Sequence, residues 1–264
     1  MKTPTRRPPA ALVGPAGLAV ALVVLPIIGL LQRAPWSTLI DRLTDDDVLE
    51  ALQVSVVVSV VAATVATVLG LPLAWILARH DGRLARMVRA AVLVPMVLPP
   101  VVGGTALLFA LGRRGLFGQW LDEWFGITLP FTTAGAVVAA SFVALPFFVT
   151  TVEAALRQAG TELEDAAAVN GATPLTAFLT VTVPASRDAI GAGVALAWAR
   201  ALGEFGATIT FAGNLAGETR TLPLEIFLAL EADPESAVAI SVVLLGVSLA
   251  VLVTLRGRWF GRDR

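Results

Sequence analysis

The sequence contains no cysteine and only one histidine, His80. The absence of cysteine excludes disulfides, thiolate metal sites and cysteine nucleophiles. A single histidine is too few for a histidine-based metal site and argues against a serine–histidine triad. Lysine is also nearly absent, since Lys2 is the single lysine among 19 basic residues. We therefore predict neither catalytic residues nor metal ligands in this chain.

Charge is scarce as well. Charged residues make up 15% of the 264 residues, whereas about 25% is usual in soluble domains. Hydrophobic residues make up 56%, and the mean hydropathy is +0.81. This chain has too little polar surface to cover a water-soluble globule of its size. The composition therefore predicts an integral membrane protein of the all-α class.

Long apolar runs are abundant. About 20 apolar residues in helical form cross the hydrocarbon core of a bilayer. Six stretches meet this length: 12–31, 52–77, 90–111, 132–152, 190–212 and 236–255. They predict a multi-pass protein with about six transmembrane helices. We interpret residues 1–264 as one domain, with an extra first helix before a core at about 52–255.

The distribution of arginine predicts the orientation. With the N-terminus in the cytoplasm, thirteen basic residues fall inside and five outside. An excess of basic residues is typical of cytoplasmic loops. Both ends of the chain are therefore predicted to be cytoplasmic, in a plasma or inner membrane. Trp75 is expected to anchor at the inner interface.

The cytoplasmic loop at 153–189 contains a short helix with its own end signals. Thr161 and Glu164 have the spacing of a capping box, in which each side chain bonds the other residue's backbone N–H. Gly171 is placed to end the helix in the left-handed conformation. The predicted helix, 162–170, is too short to be stable alone in water. These features fit docking into another protein and lying on the membrane surface equally well.

This loop resembles that of permease subunits of ATP-binding-cassette importers, which reads Glu-Ala-Ala, three residues, Gly, nine residues, Ile-x-Leu-Pro. Here Asp165–Ala167 is followed after three residues by Gly171, and after nine more by Val181–Pro184. Asp, Val and Val replace the family's Glu, Ile and Leu. The resemblance implies a type I importer permease fold and a coupling helix that docks on a cytoplasmic ATPase. The implied contact residues are Glu162, Asp165, Ala166, Ala167, Asn170 and Gly171.

A second resemblance concerns the substrate. The segments Leu93–Gly103, Ala201–Asn214 and Gly217–Pro223 are similar to those of permease subunits of molybdate importers. The similarity extends over roughly 50–255. It implies import of molybdate or the closely similar tungstate, while sulfate/thiosulfate permeases share some of these features and stay an alternative.

Two features are candidates for the translocation pathway. Arg200 and Glu204 have i, i+4 spacing inside an apolar stretch, which fits either a buried structural pair or a gate. Prolines and glycines interrupt the third stretch, 90–111, which fits either a pathway lining or a packing kink. The candidate residues are Pro99, Pro100, Gly103, Arg200, Glu204, Thr208 and Thr210.

The chain has no Gly-x-x-x-x-Gly-Lys-Ser/Thr motif, so we expect it to bind no cofactor and to hydrolyse no ATP itself. The resemblance implies that ATP and magnesium are bound by two partner ATPase subunits. It also implies a homodimer, an extracytoplasmic molybdate-binding protein and an oxyanion substrate, with surrounding lipid and no nucleic acid. A membrane-embedded enzyme and a non-catalytic scaffold are the alternatives from other classes.

Overall fold

A computed structural model describes residues 9–260, and these residues are helical with no strand. The helices are α1 (Ala10–Gln32), α2 (Leu39–Leu43), α3 (Asp46–Arg79), α4 (Arg83–Val97), α5 (Pro100–Leu111), α6 (Gly118–Phe125), α7 (Thr133–Ala159), α8 (Glu162–Val169), α9 (Pro174–Ala177), a π-helical turn (Phe178–Thr182), α10 (Val183–Ala185), α11 (Arg187–Leu202), α12 (Gly206–Phe211), α13 (Leu222–Ala232) and α14 (Pro234–Phe260). The prediction of an all-α chain is confirmed.

The predicted six continuous spans are not all present. Among the described residues four helices are long and apolar enough to cross a membrane, namely α1, α3, α7 and α14. The third predicted span, 90–111, consists of α4 and α5, which meet at an angle of 119°. The fifth, 190–212, is divided into α11 and α12 by residues 203–205. The proline pair after Leu98 explains the first break, because proline has no N–H to continue a helix.

Two of the central helices continue beyond their apolar runs. Helix α3 extends to Arg79, so that only residues 80–82 separate it from α4. Helix α7 extends to Ala159, so that the first part of the predicted loop at 153–189 is helical. A hydropathy window detects only the part of a helix that matches the hydrocarbon core. It therefore misses charged turns that extend the same helix beyond the hydrocarbon core.

The core lies where α3, α7 and α11 pack together. Its fully buried members are mainly alanines and valines, with Phe148 of α7 among the largest. Small residues are typical of contacts between membrane helices, since they let backbones approach closely. A second apolar cluster joins α5, α7 and α12 through Leu107, Ala139 and Phe211. This second cluster positions the broken helices described below.

Helix α1 lies at the edge of the bundle. Its apolar side chains are largely exposed, for example Leu18 and Leu22 at 74% and 77%. A helix that is apolar on all sides and exposed in a membrane protein is suited to contact with lipid or another subunit. The orientation of the chain ends stays a prediction. The terminal basic residues that enter it, Lys2, Arg6, Arg7, Arg262 and Arg264, lie outside the described residues.

Candidate coupling surface and translocation pathway

The predicted short helix at 162–170 is present as α8 and ends as expected. Gly171 has φ of +87°, in the left-handed region that favours glycine. The N–H of Gly171 donates to the carbonyl of Ala168, and the N–H of Ala172 donates to that of Ala167. These two bonds form a Schellman motif, which satisfies carbonyls at the end of the helix. Both the helix and its glycine stop were therefore predictable from local sequence.

The predicted capping box is wrong. The Thr161 hydroxyl donates to the carboxylate of Asp165 at 2.8 Å and makes no cap bond to a backbone N–H. Glu164 turns away from the helix start and binds Arg79 and Thr182 instead. A charged guanidinium is a stronger donor than a neutral backbone N–H, so the tertiary contact replaces the local one.

Most of the predicted contact residues on helix α8 are exposed. Five of the six predicted contact residues are exposed and Ala167 is half-buried; the exposed ones are Glu162, Asp165, Ala166, Asn170 and Gly171. Two apolar side chains on the same helix, Leu163 and Val169, are 62% and 88% exposed. Exposed apolar side chains beside small residues are features of a surface that another protein or the membrane covers.

The break between α4 and α5 borders a cavity of ≈ 140 Å³. Of the seven predicted pathway residues, the structure brings Pro99, Pro100, Gly103 and Arg200 to its wall. The remaining lining is apolar and includes Phe142 and other side chains of α4 and α7. Arg200 is therefore the charged member of an otherwise apolar lining.

Glu204 lies behind this cavity. Its Oε2 is 2.6 Å from Nη2 of Arg200, and its side chain is 1% exposed against 27% for Arg200. Its Oε1 accepts a 2.7 Å hydrogen bond from the N–H of Ala207 at the start of α12. The two residues were expected to share one helix, but α11 ends at Leu202, so Glu204 stands in the break. The ion pair therefore joins the end of α11 to the start of α12.

The remaining two candidates belong to α12. Thr208 is buried, with 1% of its surface exposed. The Thr210 hydroxyl donates to the carbonyl of Gly206 at 2.7 Å. Helix α12 packs closely on α5, because a Cβ added at Gly104 would lie 2.8 Å from the carbonyl oxygen of Ala207. Gly104, one of the glycines expected to interrupt the third stretch, fixes the distance between the two broken helices.

Sequence reasoning also missed a polar junction at the C-terminal end of α3. The Glu164 carboxylate accepts hydrogen bonds from Nε and Nη2 of Arg79 at 3.1 and 2.8 Å, from the Trp75 indole at 3.1 Å and from the Thr182 hydroxyl at 2.6 Å. Burial would raise the pKa of Glu164, but the hydrogen bonds from Arg79, Thr182 and Trp75 outweigh it and hold the pKa below its ordinary value. Arg79 and Trp75 were interpreted only as orientation and interface signals, because no local pattern pairs them with Glu164.

A neighbouring cluster of charged side chains binds the same end of α3. Glu153 Oε1 accepts hydrogen bonds from Arg89 at 2.7 Å and from Arg157 at 3.1 Å. Both arginines also donate to the carbonyl of Leu77, at 3.0 and 3.1 Å. These bonds satisfy a carbonyl near the end of α3, where the helix itself supplies few donors. Arg157 additionally pairs with the exposed Asp81 at 2.6 Å.

Comparison with known proteins identifies the family. Residues 70–262 match the model of the "Binding-protein-dependent transport system inner membrane component". The chain is 43% identical over 244 residues to the molybdenum transport system permease protein ModB of Mycobacterium tuberculosis, with 92% of each chain covered. It is 38% identical to ModB of Escherichia coli K12, covering 81% of this chain and 93% of that protein.

A sulfate relative and a solved structure complete the comparison. The sulfate transport system permease protein CysT of Salmonella typhimurium is 38% identical, covering 91% of this chain and 89% of that protein. A bacterial ABC transporter that imports the acidic polysaccharide alginate has the same fold, with a TM-score of 0.75 at 16% identity over 96% of this chain and 95% of that one. The chain therefore belongs to the family of binding-protein-dependent transport system inner membrane components and is a permease subunit of an ABC importer.

Proposed function

We propose that this chain is the membrane permease that imports molybdate into the cytoplasm. The observation that carries the proposal is the 43% identity to ModB over 92% of both chains. The sulfate relative reaches 38%, and the similarity to ModB is therefore the stronger of the two over nearly the whole chain. Tungstate has the same charge and geometry, and we expect the same route to accept it.

We further propose a complex of two copies of this chain with two cytoplasmic ATPase subunits. Support for the ATPase contact comes from the exposed surface of α8, where Leu163 and Val169 lack a covering partner within the described residues. A separate extracytoplasmic protein would deliver the anion. The alginate transporter with this fold was solved in complex with a periplasmic protein bound to an alginate pentasaccharide. ATP and magnesium would be held by the ATPase subunits.

An energy source is required by the charge of the substrate. Moving a dianion into a cell at about −100 mV costs about 5 kcal/mol before any concentration gradient, since each charge costs about 2.3 kcal/mol. The predicted outer loops carry more acids than bases, so they do not attract the anion themselves. Delivery by a binding protein and hydrolysis by a partner ATPase meet both requirements.

We place the translocation pathway beside the break between α4 and α5. The cavity there is walled by Pro99, Pro100, Gly103 and Arg200. Arg200 contributes positive charge to an otherwise apolar wall, while Glu204 is buried behind it and forms an ion pair with it. An anion that enters this cavity meets the arginine and not the glutamate.

The test is transport by the purified complex. A tag on this chain is used to isolate it with its bound subunits, and the subunit masses give the stoichiometry. The complex is then reconstituted into vesicles with ATP on the cytoplasmic side and the extracytoplasmic binding protein on the opposite side. We expect ATP-dependent molybdate uptake that tungstate inhibits and sulfate does not. ATP-dependent sulfate uptake without molybdate uptake would replace the proposal with the sulfate alternative, and a complex containing a second, different permease would contradict the homodimer.

A further inference from the structure

One carboxylate joins the exposed helix α8 to two other segments. Glu164 Oε1 accepts from Trp75, from Thr182 and from Arg79 Nη2, and its Oε2 accepts from Arg79 Nε. Trp75 and Arg79 belong to the last turns of α3, which forms much of the core. Thr182 belongs to the π-helical turn that precedes α10 and α11. The same side chain therefore connects α8 to α3 and to the segment that precedes α11.

The junction is built for stiffness. Arg79 meets Glu164 with two parallel N–H···O bonds, a geometry that constrains orientation as well as distance. The two side chains are only 12% and 16% exposed, so water competes weakly for these bonds. Arg79 also donates to the carbonyl of Leu156 in α7 at 2.9 Å, and the Trp75 ring packs on Phe178 at 5.4 Å. The guanidinium is thus attached to both long core helices.

The rest of α8 offers little that could replace this junction. Helix α8 has no buried residue, and its backbone packs against α9 and the π-helical turn. Ionisation of Glu164 is secure at neutral pH because its pKa lies below the ordinary value. A buried or half-buried charge pair also fixes one geometry, since misplacing either partner leaves an uncompensated charge.

We infer that Glu164 and Arg79 form the link through which movement of α8 is transmitted to α3 and, through Thr182, to the segment leading to Arg200 and Glu204. Both are positioning residues, and neither contacts the transported anion. The inference rests on the proposed function, in which α8 docks on an ATPase. It assigns to Glu164 a role distinct from that of the exposed residues of α8, which contact the partner directly.

The test compares Glu164→Gln with Asp81→Asn in the reconstituted complex. Each change removes the charge of one carboxylate that is paired with an arginine, but Asp81 pairs with Arg157 of α7, whereas Glu164 of α8 pairs with Arg79 of α3. We expect both variants to assemble and to hydrolyse ATP at rates close to wild type. The number of anions transported per ATP should fall about tenfold in Glu164→Gln, which corresponds to about 1.4 kcal/mol of coupling. In Asp81→Asn it should be unchanged.

A second pair of variants applies if Glu164→Gln does not assemble. Arg79→Lys keeps the charge but loses the two-bond fork, and Arg86→Lys makes the same change at an exposed arginine. Uncoupling in Arg79→Lys and not in Arg86→Lys supports the link. An unchanged ratio of transport to hydrolysis in both Glu164→Gln and Arg79→Lys, or in whichever of them assembles, overturns it.

A measurement on the full chain separates this inference from the choice of substrate. The chain has no cysteine, so Ile76→Cys and Val169→Cys introduce two unique sites for spin labels, on α3 and α8. Both positions are exposed, at 47% and 88%. We expect a narrow distribution of distances between the two labels in the chain that retains Glu164, with or without Asp81→Asn. In the Glu164→Gln chain the distribution should be broad. A narrow distribution in Glu164→Gln overturns the link, whereas failure of wild-type molybdate transport would overturn only the proposed substrate.

Discussion

Replacing Gly104 by alanine is expected to force helices α5 and α12 apart. The added Cβ would lie 2.7 Å from Cβ of Thr210, 2.8 Å from the carbonyl oxygen of Ala207 and 3.0 Å from its Cα. Two of these three atoms belong to backbone and the third is attached directly to it. No rotamer change can therefore relieve the contact, and α12 must move as a unit.

The magnitude follows from two opposing terms. Overpacking a tight contact costs about 1–3 kcal/mol. Alanine recovers about 0.5–1 kcal/mol relative to glycine within a helix, since it loses less conformational entropy. We therefore expect a net loss of about 0–2.5 kcal/mol in the free energy of unfolding. Transport should fall as well, because residues adjacent to Gly104 on α5 wall the cavity that Arg200 faces.

The chain contains matched controls for this substitution. At Gly246 of α14 an added Cβ meets no heavy atom within 4 Å. At Gly103 it meets only the Phe142 ring, at 3.2 Å, and that side chain can shift. Unfolding measured by denaturant titration in mixed micelles should rank Gly104→Ala below Gly103→Ala and Gly103→Ala below Gly246→Ala. If Gly104→Ala is as stable as Gly246→Ala, the close packing of α5 on α12 is refuted.

Three further predictions concern charge and backbone conformation. Arg200→Ala should destabilise the chain by about 3–5 kcal/mol in thermal unfolding, because it leaves Glu204 buried and unpaired. Adding Glu204→Gln should recover much of that loss. An Arg200→Ala variant that is stable but takes up no molybdate would instead assign the pair to the gate alone. Gly171→Val should weaken ATPase association in detergent, because a φ of +87° is strained for a β-branched residue. Gly171→Asn, which tolerates this conformation better, should bind the ATPase almost normally. Equal binding by both variants would argue against docking through this end of α8. Because the pKa of Glu164 lies below its ordinary value of 4.5, its stabilising contribution is complete above that pH and is lost as the pH falls through the folded pKa. The difference in melting temperature between wild type and Glu164→Gln should therefore shrink below pH 4.5, and a difference independent of pH would contradict an ionised link.

Local sequence was sufficient to predict structure where the hydrogen-bonding groups of a segment are satisfied by residues close to it in sequence. The exposed helix α8 and its stop at Gly171 are examples, because the Schellman bonds join residues within one turn. The interruption of the third apolar stretch was also predictable, since proline breaks a helix wherever it lies in the interior. The angle of 119° between α4 and α5 was not predictable, because it depends on the helices that pack on each side.

The hydrogen-bond and ion-pair partners of a side chain were not predictable where residues distant in sequence could also bind it. Glu164 satisfies the capping-box pattern, yet it binds Arg79, 85 residues away. Arg200 and Glu204 were expected to pair within one helix, and they do pair, but across the end of α11. In each case several partners were compatible with local geometry, and the surrounding packing selected among them.

By itself, the sequence determined that this protein is helical, lies in a membrane and belongs to the importer permeases. The first two properties follow from composition, because hydrocarbon requires every backbone group to be bonded within its own helix. The third follows from the resemblance of the loop at 165–184 to that of the family. Only the tertiary structure decided which spans are broken, that Arg200 faces a cavity while Glu204 is buried, and that Glu164 links α8 to α3. These features arise from contacts between helices, and the free energy of such contacts depends on distances and burial that no local pattern encodes.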